Sequence, residues 1–179
     1  MIDTRQLQAT DFEAIGSFAQ SAEELFYIAP SASYPWRADK FAEAIAERLS
    51  NTVFTDFGAI VGFANFYDLE PGEKAFIGNV IVNPSFRRQG LGRHILQHMM
   101  ELAFTEHHFR EVHLSCFSSN TPALLLYRKL GFKSYGIEQR TDYKNESVAL
   151  VNFKLSADQY RETESGLDLD QVSAKLADI

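Results

Sequence analysis

The run Val80-Ile81-Val82-Asn83-Pro84-Ser85-Phe86-Arg87-Arg88-Gln89-Gly90-Leu91-Gly92-Arg93 decides the reading of this 179-residue chain. It passes from an apolar strand, through a basic loop, into a helix that opens with two glycines. The first amides of a helix have no internal acceptor, and the helix dipole adds roughly half a positive charge there. Glycines at 90 and 92 remove the side chains that would keep a bulky anion away from those amides. Arg87, Arg88 and Arg93 add fixed positive charge. Together these are the parts of a diphosphate cradle. Two commoner phosphate motifs do not fit. No Gly-x4-Gly-Lys-Ser/Thr string occurs, and Ile95 stands where a Rossmann fingerprint needs its third glycine.

Outward from that run, element types alternate. Residues 2–7 suggest a first strand. Thr10 with Glu13 reads as a capping box, and Phe12, Ile15, Ala19, Ala22 and Phe26 step at helical spacing, predicting one helix to about Tyr27. Phe41, Ile45 and Leu49 predict a second helix after the loop bracketed by Pro30 and Pro35. Asn51 to Phe57 and Ala59 to Asp68 read as a hairpin turning near Gly58, and Pro71-Gly72 marks a further turn into a strand over 75–82. Leu91, Ile95, Met99 and Leu102 share one side of a helix from Gly90 to about Glu106. Val112 to Phe117 is a strand. Thr121-Pro122 predicts an N-cap and first turn for a short helix that Gly131 ends. Residues 132–141 and 148–155 close the pattern as two strands.

Composition bounds the function. With 45% apolar residues, 15 Phe, 7 Tyr and 23% charged residues, the chain can fill one core and is globular rather than disordered. No apolar run reaches the roughly 18 residues that cross a bilayer, so no membrane partner is expected. The N-terminus lacks the basic start and apolar stretch of a signal peptide. Cys116 is the single cysteine, which excludes an internal disulfide and a multi-cysteine zinc module. A cytoplasmic location is the expectation. Seventeen basic against 24 acidic side chains give a net charge of −7, which disfavours nucleic acid and favours cationic acceptors. Residues 1–155 form the expected domain. Residues 156–179, with six acidic and two basic side chains, form an acidic C-terminal extension, either disordered or a short helix on Leu169, Val172 and Leu176 with Asp170 as cap. Against this acidic background the arginine trio stands out.

Arg87-x-x-Gly90-x-Gly92 after an apolar strand resembles the acetyl-CoA motif of the GNAT superfamily of N-acetyltransferases. Asn120-x-x-Ala123-x-x-x-Tyr127-x-Lys129-Leu130-Gly131-Phe132 is similar to that family's second signature, without a gap. The resemblance covers the body from about residue 2 to 155. It implies an α/β fold with a mixed, mostly antiparallel sheet of six to seven strands flanked by about four helices. It implies acetyl-CoA as cofactor, with its diphosphate on the amides of Arg88, Gln89, Gly90, Leu91, Gly92 and Arg93 and with Arg87 nearby. The pantetheine arm would pair with the backbone of Val80 and Val82 like an added strand. Asn120 would bond the arm, Ala123 would leave room for it, and Tyr127 would face the sulfur. The reaction implied is direct attack by an amine on the thioester in a ternary complex. Tyr127, a phenol of ordinary pKa about 10, would be the general acid for the departing thiolate. Amides near Val80 and Ile81 would steady the oxyanion.

The base is not legible. Asn79 occupies the strand position where some family members carry a glutamate, and Glu24, Asp68, Glu70 and Glu73 are the nearest carboxylates in sequence. The cluster of Phe26, Tyr27, Tyr34 and Trp36 reads either as core packing or, as the resemblance implies, as a wall of the acceptor pocket together with Glu24 and Tyr67, where rings suit an approaching cation. His94 and His98 sit at i, i+4 without a zinc-protease glutamate at 95, so no metal site is read there. Cys116 in an apolar strand reads as a packed thiol. The acceptor is a small amine or a peptide or protein amine, and the protein a monomer or homodimer. A rival reading from another class is a non-catalytic acyl-CoA-binding sensor, which would keep the cradle but need no phenol at 127.

Overall fold

Alternation along two strands sets the layers. Val53 and Phe63 pack to one side of the sheet, against Ile15, Phe18, Leu25, Trp36, Phe41 and Ile45. Their neighbours Phe54 and Ala64 pack to the other, against Leu91, Ile95, Leu96, Met99 and Leu114. A strand with apolar residues on both faces must be covered on both, and helices supply that cover here. The structure is a computed structural model that describes residues 1–163.

Seven strands run in chain order as β1 (Ile2–Gln6), β2 (Leu49–Asp56), β3 (Ala59–Glu70), β4 (Lys74–Val82), β5 (Glu111–Phe117), β6 (Lys133–Thr141) and β7 (Ser147–Ser156). Their spatial order is β1-β2-β3-β4-β5-β7-β6. Every pairing is antiparallel except β4 with β5, which is parallel. The β2–β3 turn is two residues long, and Phe57 and Gly58 both have positive φ (46° and 83°), as a tight hairpin matched to strand twist requires. Helices α1 (Phe12–Gly16), α2 (Ala22–Ile28) and α3 (Ala38–Ile45) precede β2, while α4 (Leu91–Glu101) and α5 (Thr121–Lys129) flank β5 in sequence.

Several sequence expectations change. The single helix to Tyr27 is two helices, α1 ending at Gly16, where a Cβ would meet the Trp36 carbonyl at 2.3 Å, and α2 starting afresh from Ser21. The helix starts use different caps. Gln8 and Asp11, not Thr10 and Glu13, form the first capping box, and Ser21 caps α2 by accepting from the Glu24 amide. That Ser-x-x-Glu spacing was a legible signal. Leu49 opens β2 instead of ending α3, and the last turn after α4 is a π-turn over Leu102–Glu106. Asn120, one residue before the expected cap, caps α5. Residues 157–163 are helical after β7. The expected helix on Leu169, Val172 and Leu176 lies outside the described residues.

Candidate active site

The site begins where the sheet comes apart. Strands β4 and β5 pair only through Lys74–Glu111, Ala75–Val112 and Phe76–His113. Beyond them β4 stays with β3 and β5 stays with β7, so the β4 edge from Ile77 onward has no strand beside it. A cleft of about 890 Å³ fills the wedge. It is lined from the α4–α5 side by Leu96, Ala123, Leu126 and Tyr127, and from the opposite side of the sheet by Arg48, Tyr67, Ser115 and Asn152. The cleft thus reaches both faces of the sheet.

A bulge re-aims β4 within the wedge. Phe63 opposes Ile81 and Asn65 opposes Gly78, so β4 carries one extra residue there. Asn79 sits in the bulge at φ 46°. Its side chain is buried, donating to the Ile28 carbonyl at 3.0 Å and accepting from Asn65 at 3.1 Å. Asn65 also donates to Asn51 at 3.1 Å. Three asparagines on three adjacent strands therefore pin the bulge and fasten the end of α2 to it. Asn79 is an anchor of the cleft wall, with both ends of its amide engaged.

At the other end of β4, Gly90 takes φ 80° and caps α4 without any side chain bonded to the first turn. Nothing lies within 4 Å of where a Cβ at Gly90 would stand, and one at Gly92 would meet only Leu126, at 3.7 Å. The first-turn amides are left for a ligand. Arg88 and Arg93 are exposed beside them, with no ion pair among the described residues. Arg87 turns elsewhere. Its guanidinium forks onto Glu24 at 2.8 and 3.0 Å and donates to the Phe18 carbonyl at 2.9 Å. That pair holds the Glu24 carboxyl below its ordinary pKa.

The α5 residues stand at the wedge. Asn120 accepts from the Ala123 amide at 3.4 Å, and both line the cleft. Tyr127 packs on Phe132 and Phe153 at 6.3 and 5.9 Å between ring centroids. The residue is partly covered and lines the cleft, and desolvation there pushes the phenol well above its ordinary pKa. Burial likewise pushes the neighbouring Cys116 thiol up to about 12.

The expected acceptor-side residues separate. Tyr67 and Tyr27 line the cleft. The Tyr27 hydroxyl bonds Ser119 at 3.0 Å, and Phe26 stacks on Phe117 at 4.1 Å, so α2 leans on the end of β5. Tyr34 is exposed and reaches the Gln20 carbonyl. Trp36 is in the core, edge-on to Phe41 at 4.8 Å. Of the carboxylates, Glu70 and Glu73 pair with Lys74 and Arg110, while Asp68 alone among the four lines the cleft. His94 and His98 set their rings edge-on against Phe54.

Sequence reasoning missed the polar floor opposite α5. The Ser115 hydroxyl donates to Asn152 at 2.7 Å, and the Asn152 amide donates to Glu138 at 2.6 Å. Glu138 pairs with Arg140 at 2.6 Å. The Tyr135 hydroxyl lies 2.8 Å from Nδ1 of the buried His113, whose Nε2 lies 2.9 Å from Glu111. Strand alternation puts these residues on one face, but only pairing among β5, β7 and β6 assembles them.

The comparisons with known proteins agree with this geometry. Residues 7–132 match the family described as the acetyltransferase (GNAT) family. The chain is 28% identical over 149 residues to the ribosomal protein bS18 alanine N-acetyltransferase of Escherichia coli strain K12, covering 81% of this chain and 93% of that protein. The crystal structure of the ribosomal-protein-S18-alanine N-acetyltransferase from Escherichia coli aligns with a TM-score of 0.69 at 26% identity, over 88% of this chain and 94% of that one. A spermidine N-acetyltransferase from Vibrio cholerae, solved with CoA and spermine, shares the fold at 17% identity, with a TM-score of 0.74 over 89% and 97% of the two chains. The chain belongs to the GNAT family of acetyltransferases. It is an acetyl-CoA-dependent amine N-acetyltransferase. Among the described residues no helix is long and apolar enough to cross a membrane.

Proposed function

We propose that the acceptor amine enters the cleft from the Tyr67 side and attacks the thioester directly, in a ternary complex, with Tyr127 as the general acid. The observation that supports this is the through-sheet cleft, which brings the α5 phenol and the opposite polar face to one wedge between β4 and β5. Acetyl-CoA supplies an activated acyl carbon and a thiol leaving group. The diphosphate would rest on the amides of residues 88–93, the arm along Val80 and Val82, and Asn120 would hold the arm at its far side. Val80 and Ile81 amides at the bulge would steady the oxyanion. In the reaction the N–C bond forms, the C–S bond breaks, the phenolic proton passes to sulfur, and the surplus proton on the new amide nitrogen leaves to water, from which the phenolate is reprotonated.

Burial raises the Tyr127 phenol, so the group keeps its proton at neutral pH and is available as a donor at the cleft. A thiol of ordinary pKa about 8.5 takes a proton from a raised phenol only uphill, which limits the share of the rate that this donor can supply. An amine of pKa about 10.4 must shed its proton before attack, and the open face toward water allows that.

The E. coli relative is named for an alanine of a ribosomal protein and the Vibrio neighbour for spermidine. Both peptide amines and small amines are therefore acceptor classes for this chain. A cytoplasmic setting fits its lone, buried cysteine. Initial rates with both substrates varied test the reading: intersecting lines in double-reciprocal form are expected, and parallel lines, the sign of an acyl-enzyme, would overturn direct attack.

A further inference from the structure

The acceptor half of the cleft holds a cation without a counterion. Arg48, at the junction of α3 and β2, lines the cleft and is about half buried. Its guanidinium carbon lies 4.4 Å over the Tyr67 ring. Among the described residues the guanidinium makes one hydrogen bond, a long one from Nε to the Ala44 carbonyl at 3.4 Å. No carboxylate among the described residues pairs with it. The other cleft arginine, Arg140, is already neutralised by Glu138. Burial without a partner lowers the Arg48 pKa, the mark of a charge whose hydration has been taken and not replaced.

The surroundings are shaped around that group. Gly78 lies opposite, and a Cβ there would come within 2.7 Å of the Tyr67 ring and 3.0 Å of the Arg48 Nη1. The glycine thus makes room for the arginine–tyrosine stack. The stack holds the guanidinium plane by cation–π contact while both terminal nitrogens keep free donors. Tyr67 and Tyr127 line the same cleft. Asp68, next along β3, faces the same cleft with no ion pair of its own. Two unpaired charges of opposite sign therefore flank one phenol.

We infer that the acceptor is an amine that also carries a carboxylate, which the Arg48 fork binds while the amino group lies toward the wedge. This rests on the acetyltransferase reading and names its substrate class. A planar carboxylate takes two parallel N–H bonds from such a fork, a geometry that a purely cationic polyamine cannot supply. The overall −7 of the chain does not preclude this, because screening over about 8–10 Å in physiological salt leaves distant surface charges little say inside a cleft.

The test compares matched acceptors in free-thiol release at saturating acetyl-CoA: amino acids against their primary amides, and peptides with an acidic second residue against the corresponding amide side chain. In the wild type, kcat/KM for the acid member of a pair is expected to exceed that of the amide by about 10- to 100-fold, the range for hydrogen bonds to charged groups. Arg48→Gln brings the acid-to-amide ratio close to one, and Arg48→Lys leaves it intermediate, which also guards against a variant that fails to fold. The free amino acids and the peptides separate the two sources of the carboxylate. Equal rates for acids and amides in the wild type, or an unchanged ratio in Arg48→Gln, overturn the inference while leaving the acetyltransferase standing. Absence of thiol release with every amine overturns the enzymatic reading. Calorimetry of the acid and amide members on CoA-loaded protein then still decides whether Arg48 binds carboxylate.

Discussion

The guanidinium of Arg87 forks onto the carboxylate of Glu24 across 63 residues of chain, at 2.8 and 3.0 Å. The loop that leads into α4 is thereby tied to α2, which lines the cleft through Phe26, Tyr27 and Ile28. The arginine of the sequence motif serves as a strut here, and Arg88 and Arg93 are left as the free cations at the helix start.

A strut and a phosphate contact respond differently to mutation. Arg87→Gln and Glu24→Gln are each expected to raise the KM for acetyl-CoA by a similar, small factor of about three, the size of a partly exposed ion pair. The double variant should be no worse than either single one, the non-additivity of a coupled pair. A lower KM in Glu24→Gln, with the arginine released toward the cofactor, would refute the strut.

Tyr127→Phe removes the proposed proton donor and keeps the ring that packs on Phe132 and Phe153. A fall in kcat of about 100-fold is expected, at the lower end of general acid–base contributions. The KM for acetyl-CoA should change little. Steady-state kinetics over both substrates make the measurement, and an unchanged kcat would remove Tyr127 from the chemistry.

Asn79 ties the bulge to Asn65 and Ile28 at φ 46°. Asn79→Ala loses two hydrogen bonds and forces a Cβ without polar compensation into the left-handed region. The expected cost is about 2–3 kcal/mol, which in a chain of this size lowers Tm by about 5–10 °C. Asn79→Gly relieves the backbone part only, so its Tm should fall between those of wild type and Asn79→Ala in thermal unfolding.

Cys116, with its thiol raised to about 12 by burial, is almost wholly protonated at neutral pH. Iodoacetamide should label it far more slowly than a free cysteine at pH 8, and rates should rise to the free value on unfolding. Rapid labelling of the native protein would contradict the burial.

Asp11 accepts a fork from Arg5 at 2.7 and 2.9 Å and a backbone amide from Gln8, which hold its pKa below the ordinary carboxylate value. A carboxylate depressed in the folded state contributes stability that is present above the unfolded pKa, about 3.9. That contribution is lost as pH falls through the folded value. Asp11→Asn should therefore be less stable than wild type by about 1–2 kcal/mol at pH 7. The gap should close in denaturant titrations below about pH 4.

What the sequence determined by itself was whatever neighbouring residues dictate to one another. The hairpin at Phe57-Gly58, the turn at Gly72, the glycine-opened start of α4 and the placement of Tyr127 on α5 follow from local φ preferences and from periods of 2 and 3.6, so they were legible. Helix ends were less so, since the Ser21 cap competes with equally plausible caps nearby, Thr10 with Glu13 among them. The tertiary structure alone decided which charges meet. It sent Arg87 to Glu24, buried Trp36, joined three asparagines across three strands and left Arg48 alone over Tyr67. Those partners lie many residues apart in sequence, and no spacing encodes them. They are fixed only when β4 and β5 part and the helices close over both faces of the sheet.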